Sequence, residues 1–200
     1  MLSSPLESIF RKWKFILLVG IVIGILAGGL TFLFPMNYRA DAQVLIISQS
    51  RSGVDPYTVV KSAERVGENI AEVMRTDDFF QKVKSQPGYT IDWSRFDKLN
   101  ERDKRKLWNK TIAPSVVYGT GVLNVSAFDI KPDQAKQLAG ASVDALSAKG
   151  WEYVGGDVQM KVVNSPVVTR WPVRPNVLVN VILGCIIGIL GTAMVAARKN

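Results

Sequence analysis

Two long stretches without a charged residue, Phe15–Phe34 and Val177–Ala197, frame this chain of 200 residues. The hydrocarbon core of a bilayer is about 30 Å thick, and a helix of roughly 20 apolar residues crosses it. Each stretch is long enough for one crossing. Two crossings put both ends of a chain on the same side of a membrane. The residues between the stretches then form a domain that is tied to the opposite side at both of its ends.

Charge predicts which side of the membrane each part occupies. The terminal segments carry five basic residues against one acidic residue. Short cytoplasmic segments of membrane proteins are enriched in Lys and Arg. We therefore expect cytoplasmic termini and an extracytoplasmic domain. The predicted segments are the N-terminus 1–14, the first membrane helix 15–34, the domain 35–176, the second membrane helix 177–197 and the tail 198–200.

The first stretch also has features of a cleaved signal peptide. It follows basic residues, and Ala40-Asp41-Ala42 is similar to a signal peptidase site. The apolar core of a signal peptide, however, has roughly 7–15 residues. The stretch Phe15–Phe34 has 20. We therefore predict that it is retained as a membrane helix.

The domain alternates between patterns typical of strands and patterns typical of helices. The predicted order is β-α-β-β-α-β, with short helices after the first long one, which indicates an α+β domain with a mixed sheet and one layer of helices. The predicted strands are Tyr38–Ile47, Thr111–Tyr118, Val122–Phe128 and Asp157–Asn164, and the predicted helices are Tyr57–Arg75, Asp77–Lys84, one or two within Asp92–Lys110, and Lys131–Tyr153.

Three prolines precede the second apolar stretch: Pro166, Pro172 and Pro175. Proline fixes its own φ and favours extended geometry in the residue before it. The cluster therefore predicts a stiff, extended strap between the domain and the second membrane helix. We assign these prolines an architectural role.

Both apolar stretches carry glycines spaced by four residues, so that the glycines share one helical face. They are Gly20, Gly24 and Gly28 in the first stretch and Gly184 and Gly188 in the second. Small residues at this spacing let membrane helices approach closely. We predict a close helix contact, either within one chain or between neighbouring subunits. The alternative is the ordinary frequency of glycine in membrane helices.

A basic segment lies in the middle of the domain. Electrostatic attraction makes it a candidate contact for an anionic glycan, a protein partner or lipid headgroups. The alternative is a solvated helix face. The predicted placement outside the cytoplasm excludes nucleic acid as a partner. The basic residues of this segment are Arg95, Lys98, Arg102, Lys104, Arg105, Lys106 and Lys110.

Residue composition argues against an enzyme. The chain has no histidine, and its one cysteine, Cys185, lies within the second apolar stretch. Asp77 and Asp78 are the best carboxylate pair, but adjacent acids at a helix start are typical of capping and dipole interactions. No G-x-x-x-x-G-K-[ST] phosphate loop is present. We expect a non-enzymatic scaffold without a catalytic site, a cofactor or a metal.

The order of these features resembles the Wzz-type chain length determinants, the polysaccharide co-polymerases. The segment Tyr38–Ile46 resembles the first strand of that family, Asp129-x-x-Pro132-x-x-Ala135 the start of its penultimate helix, and Ser165–Gly188 its proline and glycine signature. The resemblance implies a homo-oligomeric ring in a bacterial inner membrane. Its expected partners are membrane lipids, a polysaccharide polymerase and a lipid-linked glycan. The expected function is to regulate the chain length of an O-antigen, capsule or exopolysaccharide.

Two departures from the family pattern are apparent in the sequence. The domain is short for the long helical extension of larger members, and only Arg198-Lys199-Asn200 follows the second stretch, where kinase-linked members carry a kinase domain or a binding tail. Two alternative functions stay open. One is an adaptor that activates a separate tyrosine kinase in capsule or exopolysaccharide export. The other is a membrane-tethered glycan-binding module.

Overall fold

The computed structural model describes residues 11–48, 55–154 and 158–198. The chain divides into two compact units, one formed by Met1–Met36 with Val173–Asn200 and the other by Asn37–Pro172. Most of the predicted terminal segments 1–14 and 198–200 lies outside the described residues. The elements are α1 (Trp13–Thr31), β1 (Tyr38–Ser48), α2 (Pro56–Val73), α3 (Asp77–Lys84), α4 (Ser94–Asp97), α5 (Glu101–Thr111), β2 (Ile112–Val116), β3 (Val122–Asp129), α6 (Pro132–Lys149), α7 (Trp151–Val154), β4 (Val158–Val168) and α8 (Val177–Arg198).

The unit Asn37–Pro172 is built on a four-stranded sheet with the order β2-β3-β1-β4. Every pairing among the described strands is antiparallel, so this sheet lacks the parallel neighbours that a mixed sheet contains. A helical crossover normally brings parallel strands side by side. Here β1 lies between β3 and β4, and β3 lies between β1 and β2. This is the split β-α-β arrangement of ferredoxin-like folds.

One face of the sheet is buried beneath helices, chiefly α2 and α6. Side chains of a strand alternate between its two faces, and the apolar positions of β1 and β3 follow that period. Helix α6 is rich in alanine, which lets it lie close to the strands. The buried apolar side chains of β1 and β3 on this face are Ala40, Ala42, Val44, Ile46, Leu123, Val125 and Ala127.

The predicted helices are present, with one change at the end of α6. Thr76 caps α3, since its Oγ1 accepts a hydrogen bond of 3.3 Å from the backbone N–H of Phe79. Helix α6 ends at Lys149, whereas the sequence pattern predicted a helix as far as Tyr153. A side chain at Gly150 would overlap Met160 of β4. Packing against β4 therefore favours a glycine where α6 stops.

The predicted strap is shorter than expected because part of it belongs to the sheet. Strand β4 continues through Pro166 to Val168 and pairs with β1. The register shifts between Asp41 and Gln43, so that Ser165 and Pro166 together face the single residue between them. Edge strands and bulges are the places where a sheet tolerates proline. The predicted strand ended at Asn164 and left Pro166 in the strap, so this prediction was wrong for Ser165–Val168.

An aromatic cluster joins the three short helices that follow α2. The ring of Phe80 in α3 lies 5.4 Å from Phe96 in α4 and 5.1 Å from Trp108 in α5, measured between ring centroids. The buried Trp108 also donates a hydrogen bond of 2.8 Å from Nε1 to the carbonyl oxygen of Met74. The cluster therefore fixes α3–α5 to the end of α2.

We predict that Trp108→Phe lowers the free energy of unfolding by about 1–3 kcal/mol, because it leaves the buried Met74 carbonyl without its partner. The measurement is chemical unfolding of the full chain in detergent, followed by circular dichroism. The matched control is Trp151→Phe, since the side chain of Trp151 is 57% exposed. Equal unfolding midpoints for the two variants would contradict the role assigned to Trp108.

Candidate functional site

Helices α1 and α8 pack against each other through their glycines. Gly20 and Gly24 of α1 are buried, as are Gly184 and Gly188 of α8. A Cβ atom placed on Gly188 would lie 2.9 Å from the Cα of Gly20, and one on Gly184 would lie 3.0 Å from the Cα of Gly24. A third glycine of α1, Gly28, faces Val181. The structure therefore brings all five predicted glycines together within one chain.

A polar contact joins the same two helices. The side-chain amide of Asn180 donates a hydrogen bond of 2.9 Å to Thr31 Oγ1, which in turn donates one of 2.9 Å to the Ala27 carbonyl. Hydrogen bonds between membrane helices contribute about 0.6 kcal/mol on average. The sequence analysis did not identify this pair. The available signal was that Asn180 is the one amide side chain in the second apolar stretch.

The rest of the α1 and α8 surface is apolar. Both helices are long and apolar enough to cross a membrane, judged by length and composition. Polar residues would normally cover such a surface in water, whereas lipid requires none. Exposed apolar side chains of the pair include Phe15, Leu18, Ile25, Leu30, Leu178, Leu183, Ile187 and Leu190.

The basic segment spans α4 and α5, and ion pairs hold part of it. Arg95 pairs with Asp129 at 3.1 Å, Lys104 with Glu101 at 2.8 Å, and Lys106 with Asp103 at 3.4 Å. The hydrogen bond to Glu101 raises the pKa of Lys104 above its ordinary value. These three residues thus also serve the fold.

The other side chains of the basic segment face outward. Arg102 and Arg105 are exposed on α5 and, with Glu101, Lys106 and Asn109, line a shallow groove of about 370 Å³. Lys98 and Lys110 are exposed as well. The segment is therefore accessible to a partner, but Arg95, Lys104 and Lys106 would each have to break an ion pair to bind one.

The face of the sheet opposite the helices forms a larger groove of about 690 Å³. Polar side chains cover it, and they are the outward members of the same alternation that buries the core residues. The groove was not predicted from the sequence, although the alternation of polar and apolar residues in Arg39-Ala40-Asp41-Ala42-Gln43 was its signal. The lining residues are Arg39, Asp41, Gln43, Ser115, Asn124, Ser126, Asn164, Ser165 and Val167.

The carboxylate pair considered for catalysis has structural partners. Asp77 and Asp78 lie in the first turn of α3, where their negative charges interact favourably with the positive end of the helix dipole. Asp78 also accepts a hydrogen bond from the hydroxyl of Tyr153, and burial together with this bond raises the pKa of that hydroxyl. Within the described residues, no three His, Cys, Asp or Glu side chains are grouped to hold a metal ion.

These features define a class of protein: an α+β domain framed by two helices of membrane-spanning length that pack through glycines. The family follows from comparison with known proteins. Residues 2–86 match the family model described as Wzz, chain length determinant protein. The match bears out the resemblance to that family over this stretch of the chain.

The match covers α1, β1, α2 and α3 and ends at residue 86. It therefore includes the strand motif Tyr38–Ile46 but stops before the Asp129–Ala135 motif and the proline and glycine signature that precedes and enters α8. A search of curated proteins finds no match to the chain.

We predict that Gly24→Ile destabilises the helix pair by about 1–3 kcal/mol, because the new side chain has no room. A Cβ atom at Gly24 would overlap Cys185 Sγ and lie 2.9 Å from the Val181 carbonyl oxygen. The measurement is the thermal unfolding midpoint of the full chain in one detergent.

The matched control for this experiment is Gly29→Ile. It adds the same side chain to the same helix, but no atom lies within 4 Å of the Cβ position. The midpoint of this variant should stay close to that of the parent protein. If both variants unfold at the parent temperature, the glycine faces do not form the contact described above.

Proposed function

We propose that the chain is a membrane-anchored, non-enzymatic polysaccharide co-polymerase that regulates the chain length of a surface polysaccharide. The observation that supports this most strongly is the family match over residues 2–86. The two helices of membrane-spanning length at either end of the domain fit the same function. The polysaccharide is an O-antigen, a capsule or an exopolysaccharide.

In this proposal both termini are cytoplasmic and the domain 35–176 is extracytoplasmic. Helices α1 and α8 form a two-helix anchor in the bacterial inner membrane, with their apolar outer surface against lipid. Because the chain enters and leaves the domain through this anchor, the domain stays at the membrane where a lipid-linked glycan is extended. The remaining strap, from Arg170 to Asn176, joins β4 to α8.

The proposed mechanism is physical. The length of a polymer depends on the ratio between the rates of extension and release. A contact that holds the growing chain or its polymerase for longer changes that ratio without any bond chemistry at the contact. An added binding free energy of about 1.4 kcal/mol slows dissociation roughly tenfold if association is unchanged. Weak, repeated contacts across an assembly are therefore sufficient to shift the modal length.

We propose further that the protein works as a homo-oligomer. The glycine faces of α1 and α8 are buried against each other within one chain. Subunit contacts therefore fall to the domain and to the lipid-facing sides of the helices. The exposed residues Arg102, Arg105 and Lys106 are the proposed contact for the polymerase, an anionic glycan or headgroups.

The proposed function predicts that deletion of the gene from its source bacterium changes the length distribution of a surface polysaccharide. Without the regulator, the modal length should disappear and short chains should dominate. Electrophoresis of the extracted polysaccharide with a glycan stain measures this. Complementation with the parent gene and with Gly29→Ile should both restore the mode.

The opposite result is also clear. A length distribution that is identical with and without the gene, for every surface polysaccharide that the bacterium makes, would contradict the proposal. A complete loss of polymer would contradict it too, because it would indicate a protein required for synthesis or export.

A further inference from the structure

The groove on the open sheet face has a regular layout that follows from strand register. Gln43 of β1 is paired with Asn124 of β3 and with Asn164 of β4, and Asn124 is paired with Ser115 of β2. One uncharged polar side chain from each strand therefore stands in a single line across the sheet. We call these four residues, Ser115, Asn124, Gln43 and Asn164, the amide row.

Hydrogen bonds join three of the four members of the amide row. The amide of Asn164 donates to Gln43 Oε1, and Gln43 Nε2 donates a bond of 2.6 Å to Asn124 Oδ1. The three amides thus point the same way along the row. The NH₂ group of Asn124 and the carbonyl oxygen of Asn164 take no part in these two hydrogen bonds, so both can bind a ligand. Because the side chains are already ordered, a ligand does not bear the entropy cost of ordering them.

An ion pair with no net charge flanks the amide row on one side. Asp41 accepts a hydrogen bond of 2.6 Å from Ser126 Oγ and forms an ion pair of 2.8 Å with Arg39 Nε. The two charges compensate each other within this pair.

An apolar ridge flanks the amide row on the other side. Leu45 of β1 is paired with Val122 of β3, and the N–H of Val117 bonds to the Val122 carbonyl. Leu45 and Val122 are half-buried, and Val117 is 36% exposed. On β4 the residue paired with Leu45 is the exposed Lys161, so the ridge ends in a cation. The open face therefore offers hydrogen-bonding groups next to an aliphatic strip with one charged end.

This combination does not suit a protein partner. The centre of a protein interface is usually apolar, depleted of charge and anchored by aromatic or other large side chains. The lining of this groove consists of amides, hydroxyls and an ion pair, with Val167 as its one apolar member. A second copy of the chain or another protein would have to desolvate these polar groups with the aliphatic ridge, and no aromatic side chain, as its apolar contact.

An oligosaccharide suits it well. Each sugar hydroxyl both donates and accepts hydrogen bonds, as each amide side chain does, and a sugar ring also has an apolar face of C–H groups. The groove volume of about 690 Å³ lies in the range of roughly 300–1,000 Å³ that is typical of ligand sites.

We infer that the amide row and its apolar ridge form a binding subsite for a stretch of oligosaccharide. The inference rests on the proposed function for the source of that ligand, the polysaccharide whose length the protein regulates. It assigns the contact to the open sheet face, which shares no residue with the basic segment of α4 and α5.

The test is photo-crosslinking in the source bacterium, with its own surface polysaccharide as the probe. Ser115→p-benzoylphenylalanine places the crosslinker at the exposed end of the amide row. The matched control is Asn69→p-benzoylphenylalanine, at an exposed position of α2. After illumination, the purified protein should carry a glycan-stained ladder in the Ser115 variant and none, or at least tenfold less, in the Asn69 variant.

Two results would overturn the inference. One is a glycan-stained signal from Ser115 that does not exceed the signal from Asn69. The other is a crosslinked dimer of the chain, or a crosslinked protein partner, in place of the glycan ladder. In either case, an intact effect of gene deletion on polysaccharide length would leave the proposed function standing, so the two failures are distinguishable.

A second pair of variants tests the amide row directly. Gln43→Ala combined with Asn124→Ala removes two members of the row, and Asn69→Ala is the matched amide control. In the Ser115 crosslinking background, the double variant should reduce the glycan signal at least fivefold while expression and thermal stability stay at the level of the control. An unchanged glycan signal would contradict the subsite.

Discussion

The structure of the domain depends on where β1 pairs. This strand follows α1 directly and lies between β3 and β4, so it is hydrogen-bonded to both halves of the domain. Its alternation sends Ala40, Ala42 and Val44 into the core beneath α2 and α6. The same alternation turns Arg39, Asp41 and Gln43 to the open face. One strand therefore connects the anchor, the core and the proposed ligand groove.

In the proposed membrane location, α1 and α8 follow a different physical rule, because apolar side chains gain no free energy by moving from lipid into a helix contact. Helix contact then depends on packing and hydrogen bonds. In α1 and α8 the glycines permit the packing, and Asn180 with Thr31 supplies the hydrogen bond. Since this pairing occupies the glycine faces within one chain, an oligomer has to be built from other surfaces.

Local patterns predicted most of the elements. The alternation of β1 depends on residues close together in the chain. The same holds for the Thr76 cap of α3 and for the turn Gly119-Thr120-Gly121 between β2 and β3, as the structure shows them. In that turn Gly119 has a φ of 71°, a conformation that glycine adopts readily. The two apolar stretches were predictable for the same reason, since length and composition alone indicate helices that can span a membrane.

Features that depend on distant residues were not predictable in this way. The antiparallel sheet results from β1 entering between strands that follow it by more than 70 residues. Likewise, Pro166 is compatible with β4 because β4 is an edge strand with a bulge, and strand order alone decides that. The amide row was visible as separate outward residues, but their alignment required the register of all four strands.

The proposed regulation of polysaccharide length depends on assembly of the chain into a homo-oligomer. The mass of the purified protein tests this assembly most directly. Light scattering of the full chain in detergent, with the detergent contribution subtracted, gives the protein mass. The account predicts a discrete homo-oligomer at a multiple of the chain mass of 22.0 kDa, well above a dimer. A stable monomer of 22.0 kDa, in mild detergents and in lipid nanodiscs alike, would contradict it.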